Sequence, residues 1–153
     1  MAANPWFMYG EAQKLVLDGT IDLDTDSFRM VLVDNTYVLN QSTDALWSAI
    51  SADEITGTGY TANGKAITPT IARSGLVTTF DCDDQSWASS TLANVAYAVI
   101  VRDADSNGAL AAGDIPMFAM ELEAGGSVST TSGTLAITIS ATGVYTFTAT
   151  AAA

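Results

Sequence analysis

The sequence predicts a mainly β protein: a single-domain β-sandwich or barrel spanning residues 1–153, with an α-helix at its N-terminus. Three observations carry that expectation. Thr, Ser, Val, Ile and Gly are abundant, as in strands joined by tight turns. Hydrophobic residues make up 48% of the chain and charged residues 14%, which is too apolar for a disordered polymer. Short apolar runs recur through the second half, separated by Gly- and Asp-containing connections, without a linker or an internal repeat. A chain of this size buries about 70% of its unfolded surface, so its core requires neither disulfide nor metal.

The elements are expected in this order. Asn4-Pro5 reads as a helix start, with Asn as N-cap and Pro at the first position, and Gly19 as the stop. That predicts a helix over about residues 5–18, followed by a β-rich body over about 27–150. At helical spacing Met8, Tyr9, Ala12, Leu15 and Val16 share the apolar face, while Phe7 falls on the polar side with Glu11, Lys14 and Asp18. An aromatic residue there calls for a partner, either a neighbouring loop or another subunit. Asp22, Asp24 and Asp26 alternate with Ile21, Leu23 and Thr25, a pattern that in a strand puts three carboxylates on one face. Such a face is either a solvated edge that deters aggregation or a patch for Lys or Arg of a partner.

Phe28–Val33 is the first firm strand, and Thr43–Ser51 suits a short helix with Leu46, Trp47 and Ile50 inward. Residues 52–64, with Gly57, Gly59 and Gly64, read as an irregular loop. Further strands are expected at Ala66–Ile71, Gly75–Phe80, Asn94–Arg102, Pro116–Glu121, Gly133–Ser140 and Tyr145–Ala149. Ala96–Val101 is continuously apolar, as a central strand covered on both faces would be.

Charge and composition remove several functional classes. Seventeen acidic residues against five basic ones give a net charge of −12, which repels phosphate backbones and argues against nucleic-acid binding. The same charge favours a basic partner surface or bound cations. No apolar run reaches the roughly 18 residues of a membrane span. Met1-Ala2-Ala3-Asn4-Pro5 lacks the basic and apolar regions of a signal peptide. With no histidine and one cysteine, Cys82, the chain cannot build a Ser-His-Asp or Cys-His catalytic set or a thiolate cluster. Asp81, Asp83 and Asp84 offer paired carboxylates, but their turn-forming neighbours equally suit a hairpin tip. The expectation is a protein without catalytic residues.

The sharpest local pattern is Asp103-Ala104-Asp105-Ser106-Asn107-Gly108, followed by Asp114. As a calcium loop it would use Asp103, Asp105, Asn107 and Asp114 as oxygen ligands, with Gly108 at the bend. Asp in place of Glu at the last position, and strand-like flanks, favour the alternative of an acidic hairpin turn. Calcium is therefore the one cofactor to consider. Trp6, Trp47 and Trp87 are either core anchors or, if exposed, interface or carbohydrate-binding aromatics.

The opening aromatic segment, the Gly19-Thr20-Ile21-Asp22-Leu23-Asp24-Thr25-Asp26 step and the Met30–Asp34 strand resemble a group of small tailed-bacteriophage virion proteins. Gly59-Tyr60-Thr61, Gly64-Lys65-Ala66, Asp83-Asp84 with Trp87, Tyr97–Ile100 and Gly133–Ile137 extend the resemblance over most of the chain. The Asp103–Asp114 loop departs from the pattern, so calcium does not follow from it. The resemblance implies a structural protein on the virion surface that binds the major capsid protein as a decoration or cement protein. A homo-oligomer, a trimer by analogy, would follow, with Trp6 and Phe7 at the contacts between subunits. A tail or fibre component, or a calcium-dependent carbohydrate or receptor-binding module, is the alternative.

Overall fold

In a computed structural model, which describes residues 5–151, strands occupy 45% of the chain and helices 10%, arranged as a β-sandwich-like fold. The order is β1 (Trp6–Met8), α1 (Gly10–Leu17), β2 (Phe28–Asp34), two 3-10 turns (Trp47–Ala49 and Ser51–Asp53), β3 (Lys65–Ile67), β4 (Pro69–Ser74), β5 (Val77–Cys82), β6 (Gln85–Arg102), β7 (Ile115–Glu121), β8 (Val128–Ile137) and β9 (Tyr145–Thr148). The larger sheet runs β1-β7-β6-β2-β3, with β8 pairing the other half of β6, and the smaller one runs β4-β5-β9. Every strand pairing is antiparallel.

Aromatic rings join the two sheets. Phe80 of β5 stacks on Phe118 of β7 at 5.0 Å between centroids, and Phe28 of β2 meets Phe80 edge-on at 5.9 Å. Phe28 and Phe80 are buried with Met30, Ile100 and Met120 in one continuous apolar cluster. The larger sheet is buried on its second face as well. There the 35–63 segment brings Tyr37, whose ring meets Tyr97 of β6 edge-on at 5.4 Å. The hydroxyl of Tyr37 bonds that of Tyr9, 2.9 Å away, and donates to the Asp44 carboxylate, 2.6 Å away. Coverage on both faces explains why Ala96–Val101 reads as an unbroken apolar run.

The helix is shorter than the sequence predicts. It begins at Gly10, and Tyr9, at φ −74° and ψ 146°, holds the N-cap position without a side-chain bond. Asn4, the expected cap, lies outside the described residues. Trp6-Phe7-Met8 is instead a strand opposite Met120, Ala119 and Phe118. An aromatic run with an open β7 edge beside it gains more by pairing than by turning helical, and the fixed φ of Pro5 suits an extended entry. The end of the helix is as expected. Gly19 takes φ +80°, its N–H bonds Val16, and that of Thr20 bonds Leu15, a glycine-terminated helix end.

Other departures have local causes. Asp22–Asp26 is a turn rather than a strand, because the Asp22 carboxylate accepts from the N–H groups of Asp24 and Thr25. The short helix expected over 43–51 is replaced by the two 3-10 turns, and Leu46 is exposed. Residues 66–71 divide at Thr68, so β3 joins the larger sheet and β4 the smaller. Pro69 opens β4, an edge strand where its missing N–H is tolerated. β6 extends nine residues further back than Asn94, through a Ser/Thr-rich segment that pairs with β8. Register shifts there accompany Ser89 and Asn94 at φ 49° and 57°, so the strand passes through bulges as it changes partners.

Gly64 sits where no side chain fits. Its φ is +59°, and a Cβ there would fall on the carbonyl oxygen of Met30 and lie 2.9 Å from Val31 Cα. This close approach fixes the 52–64 loop to β2, as do the Arg29 bonds to the carbonyls of Asn63 and Gly64 at 2.7 and 2.9 Å.

Candidate interaction surface

The acidic loop between β6 and β7 is folded by its own carboxylates. Asp103 and Asp114 are 3% and 4% exposed. Asp103 accepts from the Gly108 N–H at 2.8 Å and, more weakly, from that of Asn107 at 3.4 Å. Asp114 accepts from Ala104 at 3.1 Å and Ala111 at 2.7 Å, tying the two ends of the loop together. Asn107 turns its side-chain oxygen to the Ala109 N–H, and Asp105 is exposed. The fold therefore brings Asp103 and Asp114 onto the loop backbone and leaves Asp105 outside. No group of three or more Asp, Glu, Cys or His poised for a metal occurs among the described residues. Any cation here would share oxygens that already accept backbone N–H bonds.

The remaining acidic clusters are also occupied structurally. Asp83 accepts from Thr68 N–H at 2.5 Å and Gln85 at 2.7 Å, and Asp84 accepts from Ile139 N–H at 2.8 Å, stitching the β5–β6 connection to both sheets. Between those aspartates and the core, burial first and then the charges of Asp83, Asp81 and Asp84 push the Cys82 thiol up to about 12. A thiol raised in this way holds little thiolate at neutral pH. Asp26 pairs with Arg102 at 2.7 Å, whereas Asp22 and Asp24 remain exposed.

All three tryptophans are core anchors: Trp6, Trp47 and Trp87 are 9%, 3% and 1% exposed. None offers an open face for a sugar or a partner. On β1 this leaves Phe7, half-buried opposite Ala119, as the aromatic with accessible surface. Among the described residues β1 pairs only with β7, so it forms an edge of the larger sheet. A groove of about 540 Å³ runs between this edge and the start of β9, lined by Pro5, Trp6, Val144 and Tyr145.

The five basic side chains are all engaged within the fold. Lys14 pairs with Glu11 and Asp18, Arg102 with Asp26, and Arg29 with loop carbonyls. Lys65 bonds the Ser86 carbonyl and lies over the Trp87 ring, and Arg73 bonds the Gly75 carbonyl. The acidic excess of −12 is thus presented outward with little to offset it.

A second groove, of about 460 Å³, was not anticipated from sequence. Ile71, Thr78 and Phe147 share a face with Phe80 by strand register, the inward face of the smaller sheet. Phe80 is fully buried under the larger sheet, yet Ile71 is 37% exposed. The apolar inner face therefore continues past its cover, and Val16, Leu17 and Leu23 form the opposite wall. Leu17, the last residue of α1, is 77% exposed, and Asp22 and Asp24 line the rim. The only sequence sign of this groove is Leu17, an apolar residue two positions before Gly19.

Comparison with protein-family models, with curated proteins and with solved structures gives no match to this chain. Among the described residues no helix is long and apolar enough to cross a membrane.

Proposed function

We propose that this chain is a non-enzymatic structural protein of a tailed-phage virion, bound to the exterior of the capsid as a decoration protein. The observation that carries the reading is the arrangement of charge. Each basic side chain bonds a carboxylate or carbonyl of the same chain, and with a net charge of −12 the sandwich presents an acidic exterior to a basic surface on the major capsid protein. The resemblance of the Gly19–Asp26 step and the following strand to small virion proteins points the same way. Repetition over a lattice lets a modest contact per copy suffice. A closed homo-oligomer, a trimer by analogy with other decoration proteins, would set Phe7 on β1 at the contact between neighbours. The carbohydrate-binding alternative loses its platform, since the tryptophans are buried.

The test is stoichiometry. Quantitative mass spectrometry of purified particles should find this chain at hundreds of copies, in fixed ratio to the major capsid protein. A handful per particle would move it to the tail or a vertex, and absence from particles would end the virion reading. The Phe7 contact calls for a point change, Phe7→Ser, rather than removal of residues 1–9. Trp6, Met8 and Tyr9 belong to the core, so truncation would unfold the protein and mimic a lost contact.

A further inference from the structure

We infer that the groove between the end of α1 and the inner face of the smaller sheet is a docking site for a partner protein's apolar segment flanked by Lys or Arg. The inference goes beyond the virion reading, because it holds whichever assembly carries the partner.

Two features of the groove determine the occupant. Its walls are apolar: Val16, Leu17, Leu23, Ile71 and Phe147, with Leu17 77% and Ile71 37% exposed. Exposed apolar residues scattered singly need no explanation, but these converge on one depression at the open end of the core. Its rim is acidic: Asp22 and Asp24 line it, and both are exposed. Among the described residues no basic side chain lines the groove, and Arg73, on the same sheet face opposite Thr78, bonds the Gly75 carbonyl. An apolar centre within a charged rim is the usual anatomy of a protein docking site, and the sign of the rim selects the partner.

The same charges exclude the other occupants. A second copy of this chain brings its own net charge of −12 to an acidic rim. An anionic lipid surface or a nucleic acid meets the same repulsion. A segment with apolar side chains in the trough and cationic side chains over the rim meets both requirements. The Asp22 carboxylate is held in place by bonds from Asp24 and Thr25 N–H, so the rim is fixed before the partner arrives.

The probe is a fluorescein-labelled peptide of alternating leucine and lysine, read by anisotropy, with amide chemical shifts of the labelled protein mapped in parallel. Saturable binding is expected, with shifts confined to residues 16–24 and the adjoining parts of β4, β5 and β9. Leu17→Ser and Ile71→Ser should each weaken it by about tenfold while leaving the melting temperature near that of the wild type, since both side chains are exposed. Asp24→Asn should weaken it several-fold and flatten its salt dependence. A leucine–glutamate peptide should not bind. Equal binding of the acidic peptide, shifts spread over the whole surface, or affinity unchanged in Leu17→Ser would each overturn the assignment. So would a concentration-dependent dimer in sedimentation that Leu17→Ser abolishes, which would make the occupant a second copy.

Discussion

Replacing Asp114 by Ala removes the acceptor for two N–H groups, Ala104 at 3.1 Å and Ala111 at 2.7 Å, that close the β6–β7 loop. Bonds to a charged acceptor contribute roughly 1.5–3 kcal/mol each, and a buried donor left without one costs about 1–3 kcal/mol. Ala104 and Ala111 are exposed, so water replaces part of the loss, and a net cost of about 2 kcal/mol is expected. For a chain of this length that lowers the melting temperature by roughly 4–8 °C. Asp114→Asn keeps one carbonyl acceptor and should fall between Asp114→Ala and the wild type. Asp105 is exposed, so Asp105→Ala should stay within about 0.5 kcal/mol of the wild type. Urea melts followed by circular dichroism measure all of these, repeated in EDTA and in millimolar calcium. The reasoning fails if Asp114→Ala matches the wild type, or if Asp105→Ala costs as much as Asp114→Ala. A calcium-dependent rise in stability, erased by Asp105→Ala, would instead establish the loop as a cation site.

Gly64→Ala forces a side chain into a left-handed backbone and onto the Met30 carbonyl. The left-handed backbone costs about 1–2 kcal/mol at Gly64 and at Gly75 alike, but a Cβ at Gly75 meets nothing within 4 Å, so calorimetry should show the larger loss for Gly64→Ala. Cys82, with its thiol pushed up to about 12, should resist a thiol reagent at pH 8 in the native protein and react quickly in urea. Labelling of the native protein at the rate of the unfolded chain would mean that the β5–β6 corner is open. Bonds from the Thr20 side chain and then its backbone N–H to Asp18, and from the Asp24 N–H to Asp22, hold both carboxyls below the ordinary 3.8. The stability they supply is therefore full above pH 3.8 and is lost as pH falls through the depressed values. Asp22→Asn should blunt that acid dependence in a pH series of thermal melts.

The sheets were legible where one physical signal dominated. The β2, β7 and β9 segments and the apolar half of β6 announced themselves by apolar content, and Gly19 marked the helix end because few other residues tolerate φ +80°. The failures were contests between signals of similar strength. Trp6-Phe7-Met8 carries no periodicity of its own, so only the presence of the β7 edge decides between helix and strand. The first half of β6 is rich in Ser and Thr, and its pairing depends on bulges that a strict two-residue alternation does not describe. Asp22–Asp26 alternates like a strand, yet one carboxylate reaching forward to two amides is enough to make it a turn.

The site was less legible than the fold, because acidic residues serve turns and ligands by the same property. A carboxylate oxygen accepts equally from an amide or a cation, and spacing alone does not say which is nearer. At Asp103, Asp114, Asp83 and Asp84 the amides are near, and these residues hold the fold together. The acids that have no such duty become visible only after those are set aside, and Asp24 at the mouth of an apolar groove is among them. The groove itself arises from two lengths that do not match: an inward apolar face that runs from Phe80 out to Ile71 and Phe147, and a larger sheet that stops covering it at Phe80. No local run of sequence encodes that difference. An uncovered apolar strip weakens a soluble fold unless something occupies it, and beside an acidic rim the occupant best matched is an apolar segment bearing positive charge.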